Sequence, residues 1–155
     1  MLIPQTMLPG LIEAFSVPTP SGAICAVKVV NTITQYLATG QNAAFGSYIT
    51  WGFPFPQMIE AFSVHKPAPE LFAVSFSNAV IQGLAGLYTL FQINAFQLAG
   101  PVMLPMVMKA ARMHAPTSVP FATAIAYAIH AQATSIMITV SDPKTLGAPY
   151  PGPFF

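Results

Sequence analysis

A chain of 155 residues carries five basic and four acidic side chains, a formal net charge of +1, 54% hydrophobic residues and a mean hydropathy of +0.62. Charged residues make up 6% of it, against about 25% in an ordinary soluble domain, so lipid or neighbouring subunits must cover its apolar surface. Lys28, Lys66, Lys109, Arg112 and Lys144 are scattered singly, which excludes a phosphate-binding face and nucleic acid as a partner, and the single Cys25 excludes an intrachain disulfide.

Residues 1–10 contain Pro4 and Pro9 but no Lys or Arg. They lack the positive stretch of a secretory signal and read as part of the mature chain. The next segment, Ile12-Glu13-Ala14-Phe15-Ser16-Val17, recurs letter for letter as Ile59-Glu60-Ala61-Phe62-Ser63-Val64. At the same offset Pro9 matches Pro56, Pro20 matches Pro67, Asn31 matches Asn78 and Gln35 matches Gln82. A weaker third copy places Pro105, Ala110, His114 and Pro116 opposite Pro56, Ala61, His65 and Pro67. Self-similarity at a fixed period is the mark of a duplicated structural unit. The chain is therefore expected to be one structural unit, 1–155, holding repeats at about 9–50, 56–100 and 105–141 and a proline-rich tail at 142–155.

Each repeat reads as a proline, a short amphipathic segment, a proline elbow and a long apolar run. In the second short segment Met58, Ile59 and Phe62 share one helical side, with Glu60 and Ser63 turned away. The run 71–98 carries no charge and exceeds the ~20 residues that cross a hydrocarbon core, which makes it the strongest transmembrane candidate. The run 24–49 is interrupted by Lys28, Asn31, Gln35, Gln41 and Asn42. The run 121–140 is a third candidate, although 135–141 suits a strand equally well. The tail, with four prolines, is expected to be extended or irregular.

One polar pattern stands out along the long runs. Lys28, Asn31 and Gln35 in the first repeat, and Ser75, Asn78 and Gln82 in the second, are spaced i, i+3, i+7 and share one helical face. Amides facing lipid are costly, so these stripes should face other helices, another subunit or water. They either line an aqueous path or act as hydrogen-bonding glue, and the scarcity of ionisable groups favours glue. The third repeat breaks the pattern with Ala124, Tyr127 and Ala131.

Small residues at four-residue spacing (Gly40 and Ala44, Ala79 and Gly83, Ala122 and Ala126) would let helices approach closely. His65, His114 and His130 make a three-histidine metal site conceivable. No ligand pair recurs at the i, i+3 or i+4 spacing of metal-binding helices, so no metal is expected. Glu13 and Glu60 could be read as an acid–base pair, but their place in short exposed segments favours solvated charges. Asp142 is the sole Asp, and no phosphate-cradling glycine motif or Ser–His–acid grouping is present. No catalytic residue, cofactor or enzymatic activity is therefore expected.

These features predict an all-α fold of three repeat-related units, each a short segment plus one long apolar helix, embedded in a membrane or buried in a large assembly. With one crossing per unit, successive units would be inverted. The expected function is a small polytopic membrane subunit with a structural or accessory role in a multi-subunit complex, path lining by the amide stripes being its more specific variant. The alternative is a self-assembling structural protein of a capsid, tube or fibre, located inside a large particle. Expected partners are copies of the chain itself, other subunits of a large complex, and lipid.

Overall fold

Proline sets the start of each short helix. Pro9 lies in the first turn of α1 (Leu8–Ser16), Pro56 in that of α3 (Phe55–Val64) and Pro105 in that of α5 (Met103–Ala111). A missing N–H is harmless there, because first-turn donors have no acceptor within the helix. A longer helix follows each: α2 (Gly22–Leu37), α4 (Pro69–Ala85) and α6 (Ser118–Thr134). Ser21 caps α2 by accepting a hydrogen bond from the Ile24 amide at 3.4 Å. Pro69 opens α4 beside Glu70, whose carboxylate suits the positive end of the helix dipole.

The computed structural model describes residues 1–16, 21–40, 49–51, 55–64, 68–89, 93–97, 101–113, 117–141 and 150–154. The elbow prolines Pro20, Pro67 and Pro116, together with Ala44, His65, His114 and tail residues 142–149, lie outside them. A 3-10 turn at Pro4–Met7 precedes α1.

Each short helix packs on the long helix that follows it: α1 on α2, α3 on α4, α5 on α6. The pairs join through α2 with α3 and α4 with α5, and α6 returns to α1, so the six helices close into a ring. A hydrogen bond between the Ser16 and Ser118 hydroxyls ties the closing seam. The fold class is thus all-α, as the long apolar runs predict. Short strands are appended to it. Antiparallel β1 (Ile49–Trp51) and β2 (Leu87–Thr89) pair with Ile49 opposite Thr89, and β3 (Ile93–Gln97), β4 (Met137–Ser141) and β5 (Tyr150–Pro153) form a second antiparallel sheet in that order. Just past β5 the Phe154 amide donates to the Ile136 carbonyl at 3.2 Å. The Phe154 ring sits so close to Gly40 that a Cβ there would overlap it.

Burial recurs along the chain. Ala14, Ala61 and Ala110 are all buried, as are Ala26, Ala73 and Ala122, then Ile33, Val80 and Ile129, then Leu37, Leu84 and Ala133. The two hexapeptides match as well: Ile12 and Ile59 are half-buried, Glu13 and Glu60 exposed, Phe15 and Phe62 half-buried, Ser16 and Ser63 exposed. The hexapeptide phenylalanines approach each other, with ring centroids 6.2 Å apart. Phe15 also meets Phe121 edge-on at 4.9 Å, and Phe62 lies 5.8 Å from Phe72, which stacks on Phe76 at 5.4 Å. Four helices drawn from all three pairs, α1, α3, α4 and α6, thereby share one aromatic cluster. Offset and edge-on ring pairs of this kind add to the stabilisation from burial alone.

Small residues permit the tight packing. Ala79, Gly83, Ala122 and Ala126 are buried at helix contacts, and a Cβ on Gly10 of α1 would strike the Thr32 side chain of α2. Hydroxyls inside the helices are satisfied locally, Thr32 by the Lys28 carbonyl at 2.8 Å and Thr134 by that of His130 at 2.8 Å.

The transmembrane expectation is overturned. Among the described residues no helix is long and apolar enough to cross a membrane. The longest, α4 and α6, have 17 residues, about 26 Å of rise against a hydrocarbon core of about 30 Å. The run 71–98 is not one helix: α4 stops at Ala85, Gly86 caps it, and the chain continues into β2 and β3. The runs 24–49 and 121–140 divide in the same way, α2 ending at Leu37 and α6 at Thr134. The physical reason is that β-branched and aromatic residues at the ends of the runs favour extended pairing over further helix. Inversion of successive units depended on one crossing per unit, and it falls with the crossing.

Candidate assembly surface

Each short helix packs along its long partner in a seam, and of the predicted stripe residues Lys28 meets the neighbouring short helix, through Glu13. Asn31, Gln35, Asn78 and Gln82 are exposed, and Lys28 and Ser75 half-buried. Each stripe occupies the exposed face of its own helix. The helix periodicity explains this: in α4 the buried residues Phe76, Ser77, Ala79, Val80 and Gly83 flank the stripe positions on the other side of the helix.

The three seams differ in charge. In the first, the Lys28 ammonium reaches the Glu13 carboxylate at 2.9 Å, so the head of the stripe pairs with the acid of the hexapeptide. Glu13 remains two-thirds exposed, and such a surface pair contributes at most about 1 kcal/mol. In the second, Ser75 replaces that lysine, and Glu60 has no ion-pair partner among the described residues. In the third, Lys109 stands where Glu13 and Glu60 stand in the others and Ala124 where Lys28 does, and Lys109 likewise has no ion-pair partner among the described residues. Here the seam opens into a groove of about 320 Å³ lined by Met106, Lys109, Ala110, Met113, Ala124 and Tyr127. Met106, Met113 and Tyr127 are 36%, 42% and 43% exposed. The Gln5 side-chain amide donates to the Tyr127 hydroxyl at 3.0 Å and steadies that rim.

Sequence reasoning found the stripes but not the Lys28–Glu13 pair, nor Lys109 as the third counterpart of Glu13 and Glu60. The signal was the self-similarity of the sequence. Carrying the third copy's offset to residue 60 lands on Lys109 and reveals a sign reversal.

Other polar groups have structural work. Gln132, buried in α6, accepts the Met103 amide at 3.1 Å and so satisfies a first-turn donor of α5. Ser77 Oγ and Gln57 Oε1 are buried without a hydrogen-bond partner. A second ion pair joins α4 to the end of α5, with Arg112 donating to Glu70 at 2.8 Å through Nη2 and at 3.1 Å through Nε. That hydrogen bond to Arg112 is the main cause holding the Glu70 carboxyl below its ordinary value. Burial pushes the Cys25 thiol up to about 11, Lys28 opposing this more weakly, so the thiol is a poor nucleophile. Among the described residues no three His, Cys, Asp or Glu side chains gather as metal ligands.

His130 lies against α2. Its Nδ1 is 2.6 Å from the Tyr36 hydroxyl. Burial raises the Tyr36 phenol well above its ordinary value, so the hydroxyl is the donor and Nδ1 the acceptor. Burial also lowers the His130 pKa below 6.5. The unfolded chain then binds a proton that the folded chain resists, so this contribution to stability is complete above about 6.5 and is lost as pH falls from there to the folded-state value. The wild type is therefore expected to melt at a lower temperature at pH 5.5 than at pH 7.5 by a larger margin than His130→Phe does. Parallel thermal scans measure it, and equal margins would contradict it.

Comparison with protein-family models, curated proteins and solved structures returns no match.

Proposed function

We propose that the chain is a self-assembling structural protein, three copies of one short–long helix pair closed into a ring that packs against further copies of itself in a particle, tube or fibre. The observation that carries this reading is a repeated outward apolar face. Ile24 and Val27 of α2 are 43% and 41% exposed, and Leu71 and Val74, at the same places in α4, are 57% and 42% exposed. The ring has used the inward faces of its helices, so these side chains await a partner outside the chain. Beside them run the amides Asn31, Gln35, Asn78 and Gln82, giving an apolar centre with a polar rim, the usual anatomy of a protein–protein interface. The 6% charge content supports the same reading, because a chain covered by its own copies needs few charges to stay dispersed.

Sedimentation velocity and negative-stain microscopy of the purified chain without detergent test it. Ordered oligomers or particles that dissociate on dilution are expected, and the pair Leu71→Asp and Val74→Asp should disperse them. A monodisperse monomer up to the highest attainable concentration would overturn the proposal.

A further inference from the structure

We infer that the groove of the third seam receives the α3 ridge of a second copy, with Glu60 of one chain pairing with Lys109 of the next. This deepens the assembly reading above and rests on it. The first seam shows the chemistry in closed form, an acid and a lysine joined at 2.9 Å across a short–long helix pair. The other two seams each keep one half of such a pair. Glu60 is an exposed carboxylate whose seam offers Ser75, and Lys109 is an exposed ammonium whose seam offers Ala124. The charges are complementary and each lacks an ion-pair partner among the described residues.

The surroundings of Lys109 fit a protein ridge. Replacement of the lysine position by Ala124 opens the floor, and Met106, Met113 and the Tyr127 ring form walls of about 320 Å³. Methionine side chains adapt to the shape presented to them, and a tyrosine offers apolar area with a polar tip. Alongside Glu60 on α3 lie half-buried Ile59 and exposed Ser63, a narrow ridge with its charge at the crest. Repeated head to tail, this pairing propagates into a closed ring or a filament, whereas a two-fold dimer would exchange both pairs across one interface.

Charge reversal tests the pairing. Glu60→Lys should set two lysines face to face, and Lys109→Glu two carboxylates. Each is expected to weaken self-association by about tenfold or more. The double variant should regain wild-type association, as should an equimolar mixture of the two single variants, in which unlike charges meet at every contact. Both residues are exposed, so melting temperatures under dissociating conditions should match the wild type and separate lost assembly from lost folding. The milder Glu60→Gln and Lys109→Gln should weaken association less and reduce its salt dependence. Self-association that ignores the reversals, or a double variant as weak as the singles, would overturn the pairing and leave the general assembly reading standing. A wild type that never associates would remove both.

Discussion

Phe72→Ala is expected to lower the stability of the dissociated chain by about 3–5 kcal/mol, a large share of the 5–15 kcal/mol that holds a typical domain together. Phe72 is 1% exposed and lies 5.4 Å from Phe76, 5.8 Å from Phe62 and 6.2 Å from Phe121. Those rings come from α4, α3 and α6, and Phe121 passes the contact on to Phe15 of α1 at 4.9 Å. Truncation there removes a shared packing partner of several helices and leaves a cavity that no single neighbour can fill. Leu71→Ala supplies the contrast. Leu71 is 57% exposed, so its loss should cost less than about 0.5 kcal/mol in the dissociated chain while weakening assembly. Urea unfolding at low protein concentration measures both. A Phe72→Ala loss no larger than that of Leu71→Ala would mean that the aromatic cluster is not a folding core.

The helical character of the chain was legible because it rests on local rules. Prolines in the first turns of α1, α3 and α5, and Met58, Ile59 and Phe62 spaced along one side of α3, follow from covalent geometry and helical periodicity. The ends of the long helices were not legible in the same way. An uncharged run such as 71–98 satisfies a hydropathy criterion whether it is one helix or a helix followed by strands. The decision lies in Gly86 and in the β-prone residues beyond it, weak local preferences settled by pairing of Leu87–Thr89 with Ile49–Trp51 far away in the chain.

The surface was legible only in part, because a stripe on one helix does not say what lies beside it. Asn31 and Gln35 share a face by spacing alone, as do Asn78 and Gln82, but whether such a face meets lipid, protein or water depends on how the helices close into a ring. Packing within the first helix pair brings Glu13 to Lys28, and packing within the third leaves a groove over Ala124. Ser75 at the place of Lys28, and Lys109 at the place of Glu13 and Glu60, are single-residue differences between self-similar stretches of sequence. They become a pattern only when the three seams are laid over one another.

The hexapeptide itself offers the sharpest test of that superposition. Ala14→Leu and Ala61→Leu are each expected to cost about 1–3 kcal/mol, and the two together about 2–6 kcal/mol. Ala14 is 1% exposed and Ala61 0%. Each sits on the inner side of its short helix immediately before a phenylalanine of the aromatic cluster. Three added carbons at either site must push that helix off its long partner or force its phenylalanine out of place. If the same six residues make the same contacts in both settings, the two losses should agree within about 0.5 kcal/mol, with departures from additivity traceable to the contact between Phe15 and Phe62. Ser63→Leu, on the exposed side of the same hexapeptide, should be close to neutral in the dissociated chain. Denaturant midpoints for the four variants provide the comparison. Should one alanine tolerate leucine and the other not, the hexapeptides would share letters without sharing surroundings, and the reading of the chain as copies of one helix pair would fail at its clearest point.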